Sequence, residues 1–168
     1  MTALTLVHVA LSLVGIASGF VVAFGLLAAK RLEGWTSVFL ATTVLTSITG
    51  YFFPVHQLLP SHIVGLVSLI VLAVAMFALY GRRLAGPWRR TYAISAVIAL
   101  YLNFFVLIVQ LFRKAPALKA LAPTQTEPPF QVTQLVVLAL FVVLTVLAAI
   151  RFRVKPARVE GTVSARAA

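Results

Sequence analysis

Cysteine is absent from the 168 residues, and acidic side chains number only three, Glu33, Glu127 and Glu160. The first absence excludes disulfides, thiolate metal sites, iron–sulfur clusters and cysteine nucleophiles together. It identifies no redox compartment, because bilayer segments need no covalent staples. The shortage of carboxylates excludes paired-acid catalysis. GxSxG, HExxH and Walker motifs are missing too, and a serine or threonine without a base is only a hydroxyl, so an enzyme is not expected. All three glutamates fall between or beyond the long apolar runs, so no ionisable group stands where ion-coupled carriers place one, near the bilayer midplane. No internal repeat is visible, and with it goes the inverted-repeat pattern of many secondary transporters.

What remains is oil and positive charge. Hydrophobic residues make up 62% of the chain and charged residues 10%, with a formal net charge of +11. In a soluble domain that charge would suggest nucleic acid. Here the cations sit between apolar runs, where they orient helices and meet anionic headgroups, so nucleic acid is not the expected partner.

Five runs are long enough to cross the hydrocarbon as helices: residues 4–29, 35–53, 62–80, 92–112 and 132–150. The expected fold class is therefore all-α, a polytopic membrane bundle with one transmembrane domain over residues 1–151 and a basic, unstructured cytoplasmic tail over 152–168. The first run lacks the basic start of a secretory signal and reads as a retained helix. Lys30, Arg31, Arg82, Arg83, Arg89, Arg90 and the cations from Arg151 onward fall on one side of such a bundle, against Arg113, Lys114 and Lys119 on the other. This bias places the N terminus in the periplasm and the C terminus in the cytoplasm.

The connections carry their own signals. Prolines 54 and 60 bound a turn, and the run 81–90 reads as a Gly/Pro/Arg loop. Residues 115–122 form a candidate interfacial helix with Leu118 and Leu121 turned to the membrane, before Pro123 and Pro128-Pro129 impose extended chain.

The fourth run is the organising one. At helical spacing Tyr92, Ala96, Ala99, Asn103, Val106, Gln110 and Arg113 share a face, which should meet protein rather than lipid. Tyr101 and Asn103 are the deepest strongly polar groups. The second run is rich in hydroxyls, which either bond to carbonyls one turn back or line a polar seam opposite Asn103 through Thr42, Thr46 and Thr49. Gly15 and Gly19 in the first run allow close approach of another helix, within the monomer or in a homo-oligomer.

The five-span topology gathers His8, His56 and His62 toward the outer face, near Gln57, Gln110, Gln131 and Gln134. His8 and His62 are candidate axial haem ligands, and His62, Gln110 and Tyr51 candidate quinone contacts. Three imidazoles, His8, His56 and His62, form a candidate zinc or copper set. Tyr101, Asn103, Gln110, Gln134, Thr42 and Thr46 are candidate pocket or helix-contact groups. Asn103 and Tyr101 suit a neutral solute and not a proton relay.

The phrases ATTVLTSITGYFFP (residues 41–54), LPSHIVGLVSL (59–69), IALYLNFFVLIVQ (98–110) and KALAPTQTEPPF (119–130) resemble those of small, uncharacterised proteobacterial inner-membrane proteins. The resemblance implies a bacterial inner membrane and several helices, and implies no activity. The expected function is binding or assembly with other membrane components, with a redox protein or a carrier of a small neutral solute as alternatives.

Overall fold

In a computed structural model the described residues are 3–52 and 60–152, with side chains described in the second stretch from Ile63 onward. They form six α-helices: α1 (Ala3–Leu27), α2 (Glu33–Gly50), α3 (Pro60–Met76), α4 (Trp88–Lys114), α5 (Pro116–Leu121) and α6 (Pro128–Arg151). No strand occurs among the described residues. Four helical stretches are long and apolar enough to cross a membrane: Ala3–Leu27, Ile63–Gly81, Trp88–Lys114 and Pro128–Arg151. Large apolar side chains on them, such as Phe24, Ile63, Leu135 and Leu140, point outward, as lipid contact requires.

The remaining expected crossing, residues 35–53, coincides largely with α2, which is a helix but not one of these four; its 18 residues are the most hydroxylated of the long helices. Four of its hydroxyls are turned back on the helix. Ser37, Thr42, Ser47 and Thr49 donate to the carbonyls of Glu33, Val38, Thr43 and Leu45, at 2.7–3.0 Å. Each such bond hides one polar group without a partner helix.

Small residues bring the helices together. Gly15 and Gly19 lie buried within the monomer, Gly15 against Thr42, Thr43 and Asn103, and Gly19 against Phe39 and Leu100. Gly19 near Phe39, Gly15 near Thr43 and His8 bonded to Thr49 show α1 and α2 running antiparallel along their length. On α3 and α4 the buried alanines Ala75, Ala78, Ala93, Ala96 and Ala99 permit the same closeness. Of the predicted face of α4, Tyr92, Ala96, Ala99 and Asn103 are buried, Val106 and Gln110 half-buried and Arg113 exposed, while Leu100 and Ile108, off that face, are buried too. Helix α6 is the least buried of the four apolar helices. It joins the bundle through Phe141, which sits among the rings of Phe20, Tyr101 and Phe104 at centroid distances of 5.5–6.0 Å.

The ends of the elements differ from expectation for local reasons. Chain reversal after α1 uses Ala29 at φ 54°, with the Lys30 N–H bonded to the Gly25 carbonyl at 2.8 Å. This is a left-handed helix stop that usually takes glycine. Helix α3 continues into a wider π turn, Phe77–Gly81, where the Arg82 N–H reaches the Phe77 carbonyl at 2.9 Å. The loop expected over 81–90 is shorter, because Trp88, Arg89 and Arg90 already belong to α4, led in by Pro87.

Pro128-Pro129 does not prolong the extended chain; it opens α6. The first helical position needs no N–H donor and suits the fixed φ of proline, so only the preceding residue, Glu127, is extended, at φ −77° and ψ 153°. Glu127 accepts from the Thr124 N–H, the Thr124 hydroxyl and the Thr126 N–H at 2.8–3.0 Å. The short helix expected at 115–122 forms over Pro116–Leu121; Leu121 is exposed, but Leu118 packs toward Ile108, Phe112 and Ala122 rather than outward.

Phe152, the first residue of the expected tail, is buried, with its ring 6.1 Å from that of Tyr92 and the Arg89 guanidinium 5.3 Å from its face. The rest of the expected tail, and the turn bearing His56 and Gln57, lie outside the described residues.

Candidate functional site

Where α3 and α4 carry alanines, the bundle is closed. Toward the opposite end α1, α2, α3 and α4 part around a cavity of about 580 Å³. That volume is in the range of small-molecule sites. Its floor holds Ser12, Asn103, Thr46, Ser47 and Ser68, its walls Val9, Leu13, Val64, Val106 and Leu107, and its upper part Thr5, His8, Tyr51, Gln110, Arg113 and Lys114. No aspartate or glutamate is among the lining residues.

Asn103 is the centre of the floor because its position on α4 turns it toward both α1 and α2. Its Oδ1 accepts from the Ser12 hydroxyl at 3.1 Å, while Nδ2 has no hydrogen-bond partner. Thr43 and Thr46 Oγ1 are likewise buried without a partner. Buried donors left unpaired cost roughly 1–3 kcal/mol each, and Asn103 Nδ2 and Thr43 Oγ1 lie in the helix contact beside Gly15, behind the cavity. Ser47 spans the gap to α3, donating to the Thr43 carbonyl at 3.0 Å and lying 3.4 Å from the Ser68 hydroxyl.

His8 is fixed by a local chain of bonds. Its Nδ1 lies 2.9 Å from Thr49 Oγ1, which is also 2.8 Å from the Leu45 carbonyl oxygen. The imidazole tautomer sets which of the two side chains donates. The Lys114 ammonium is within electrostatic reach of this imidazole. Arg113 and Lys114 are exposed and occupy the last turn of α4, where the helix dipole favours cations.

Of the candidates read from the sequence, His8, Thr46, Asn103 and Gln110 line the cavity together. Thr42 lies just behind it against Gly15, with its hydroxyl returned to Val38. Tyr101 and Gln134 are on the other side of α4. The Tyr101 ring packs at a tilt against Phe105 and Phe141, and Gln134 Nε2 donates to the Phe105 carbonyl at 3.4 Å. They do not join Asn103, because Tyr101 is two residues away and about 200° around the helix.

His62 opens α3 with its side chain outside the described residues, as is the whole of His56, so the haem pair and the three-imidazole metal set cannot be assembled from what is described. No group of three His, Cys, Asp or Glu able to hold a metal occurs among the described residues.

Ser47, Ser68 and Thr5 were not expected as cavity residues. The signal that would have found Ser68 is its helical register with Gly65, which puts both on the cavity side of α3. Hydroxyls, amides, an imidazole and two cations around an apolar slot can bind and orient; they offer no paired acid and base. The chain matches no protein-family model, no curated protein and no solved structure.

Proposed function

We propose that the chain is a bacterial inner-membrane protein that crosses the bilayer five times and binds a small ligand in the α1–α4 cavity without chemically altering it. The observation that carries this reading is a ligand-sized cavity lined by polar side chains of all four helices, Ser12, Thr46, Ser68 and Asn103 among them. Helix α2 counts as the fifth crossing because its 18 residues, at about 1.5 Å each, come close to the hydrocarbon thickness, and it pairs with α1 end to end. The charge bias puts the cavity mouth in the periplasm and the α3–α4 connection in the cytoplasm, where Lys30, Arg31, Arg82 and Arg83 meet anionic headgroups. Tyr51 and Gln110 both line the cavity, which keeps a neutral quinone as the second reading.

The natural absence of cysteine makes the test direct. A cysteine at Gln110 should react with a membrane-impermeant maleimide added to spheroplasts, and one at the exposed Ala85 only after permeabilisation. Labelling of Ala85→Cys in sealed spheroplasts, or a Gln110→Cys that reacts only in denatured protein, refutes the reading. Organic extraction of purified protein that yields a quinone would establish the second reading instead.

A further inference from the structure

Three acids must serve the whole chain, and those described are engaged elsewhere. Glu33 pairs with Arg31 at 3.6 Å, and Glu127 is held by Thr124 and Thr126. The third, Glu160, lies outside the described residues. Arg113 and Lys114 thus stand at the cavity mouth with no carboxylate partner among the described residues, and no acid lines the cavity beneath them. Between this charged rim and the floor the walls are apolar, from Val106 and Leu107 on α4 to Val9 and Leu13 on α1. Eleven helical residues separate Asn103 from Lys114, roughly 16 Å at 1.5 Å per residue. The sequence of surfaces is cationic rim, apolar shaft and polar floor.

Resting on the cavity reading above, we infer that the ligand is a single-chain amphiphile with one anionic head, a carboxylate or phosphate, and an oxygen at its far end. The head sits between Arg113 and Lys114, where charge-assisted hydrogen bonds are available near the aqueous edge. The chain fills the shaft. The distal oxygen meets the polar floor formed by Ser12, Asn103, Ser47 and Ser68. A quinone or other neutral solute would use the floor and leave the rim charges idle.

The test uses the full chain in phosphatidylcholine nanodiscs, so that no anionic lipid competes, with empty nanodiscs as the partition blank. Dodecanoate, dodecyl phosphate, dodecanol and 12-hydroxydodecanoate are titrated against it. Dodecanoate or dodecyl phosphate should bind at least about ten-fold tighter than dodecanol, and the preferred one identifies whether a free acid or a phosphate head is the source.

The exposed-site variant Arg113→Gln/Lys114→Gln, which leaves the packed core untouched, should abolish that preference and leave dodecanol unchanged. The terminal hydroxyl should tighten binding about five-fold in the parent protein and not in Asn103→Leu, as expected for one hydrogen bond. Equal binding of dodecanoate and dodecanol overturns the anionic head while the cavity stands. Binding of none of the four, in a protein whose Gln110→Cys variant is labelled, overturns the amphiphile class. Loss of the labelling itself overturns the cavity reading.

Discussion

Replacing Gly19 by alanine measures how tightly α1 is seated. A Cβ built at Gly19 would lie 2.6 Å from Leu100 Cδ1 and 2.9 Å from Phe39 Cδ2 and Cε2. Carbon atoms prefer about 3.5–4.0 Å, so roughly 1 Å must be found. Leu100 and Phe39 are each 1% exposed and have little room to yield. Overpacking of this kind costs about 1–3 kcal/mol, and the better helix propensity of alanine returns about 0.8–1.0 kcal/mol, leaving a net loss of about 0–2 kcal/mol.

Gly34 is the control, since a Cβ there meets nothing within 4 Å. Gly34→Ala keeps only the propensity gain, reduced because it sits in the first turn of α2. With that smaller gain the two variants should separate by about 0.5–2.5 kcal/mol. Gly15→Ala should fall between them, since its Cβ would meet Asn103 Nδ2, Thr42 Oγ1 and Thr43 Oγ1 at 3.2 Å each. Reversible unfolding in mixed micelles with increasing dodecyl sulfate, followed by circular dichroism, gives the three midpoints. A Gly19→Ala protein as stable as Gly34→Ala would refute the close α1–α2–α4 contact.

Asn103→Leu should stay within about 1 kcal/mol of the parent stability in the same assay, because losing the Ser12 bond is offset by removing an unpaired Nδ2; a loss above about 3 kcal/mol would make Asn103 a packing residue first. For Glu127, desolvation alone would raise the carboxyl pKa, but the hydrogen bonds from Thr124 and Thr126 hold it below its ordinary value. A depressed folded pKa means that the loop is stabilised above the unfolded pKa and loses that stabilisation as pH falls through the folded value. Amide exchange at Thr124 and Thr126, corrected for intrinsic rates, should accelerate over that acidic window, and Glu127→Gln should flatten the response; equal pH profiles would exclude the carboxylate as the fastener.

Much of the architecture was legible because bilayer helices announce themselves by length and by one periodicity. The face of α4 that carries Tyr92, Ala96, Ala99 and Asn103 followed from 3.6-residue spacing alone, and the structure buries all four. Tyr101 and Gln134 were harder, since depth in a span says nothing about azimuth until neighbours are placed. The cavity was not legible. It depends on where four helices diverge, and its lining draws small residues, Ser12, Gly50, Gly65 and Ser68, from three separate helices, so no single segment displays it. Pro128-Pro129 misled because proline restricts the residue before it and yet fits a first helical turn, and local composition does not say which effect governs.

Among the described residues the outermost helix, α6, lends no side chain to the cavity, whose lining comes from α1, α2, α3 and α4 with Tyr51. Every described residue that lines the chamber thus precedes the last apolar segment in the chain. What α6 adds arrives afterwards, as an aromatic rivet at Phe141 and a basic end at Arg151. The outward flank of this helix is accordingly the place where fusions, crosslinkers or reporter groups can be attached with the chamber left as it is.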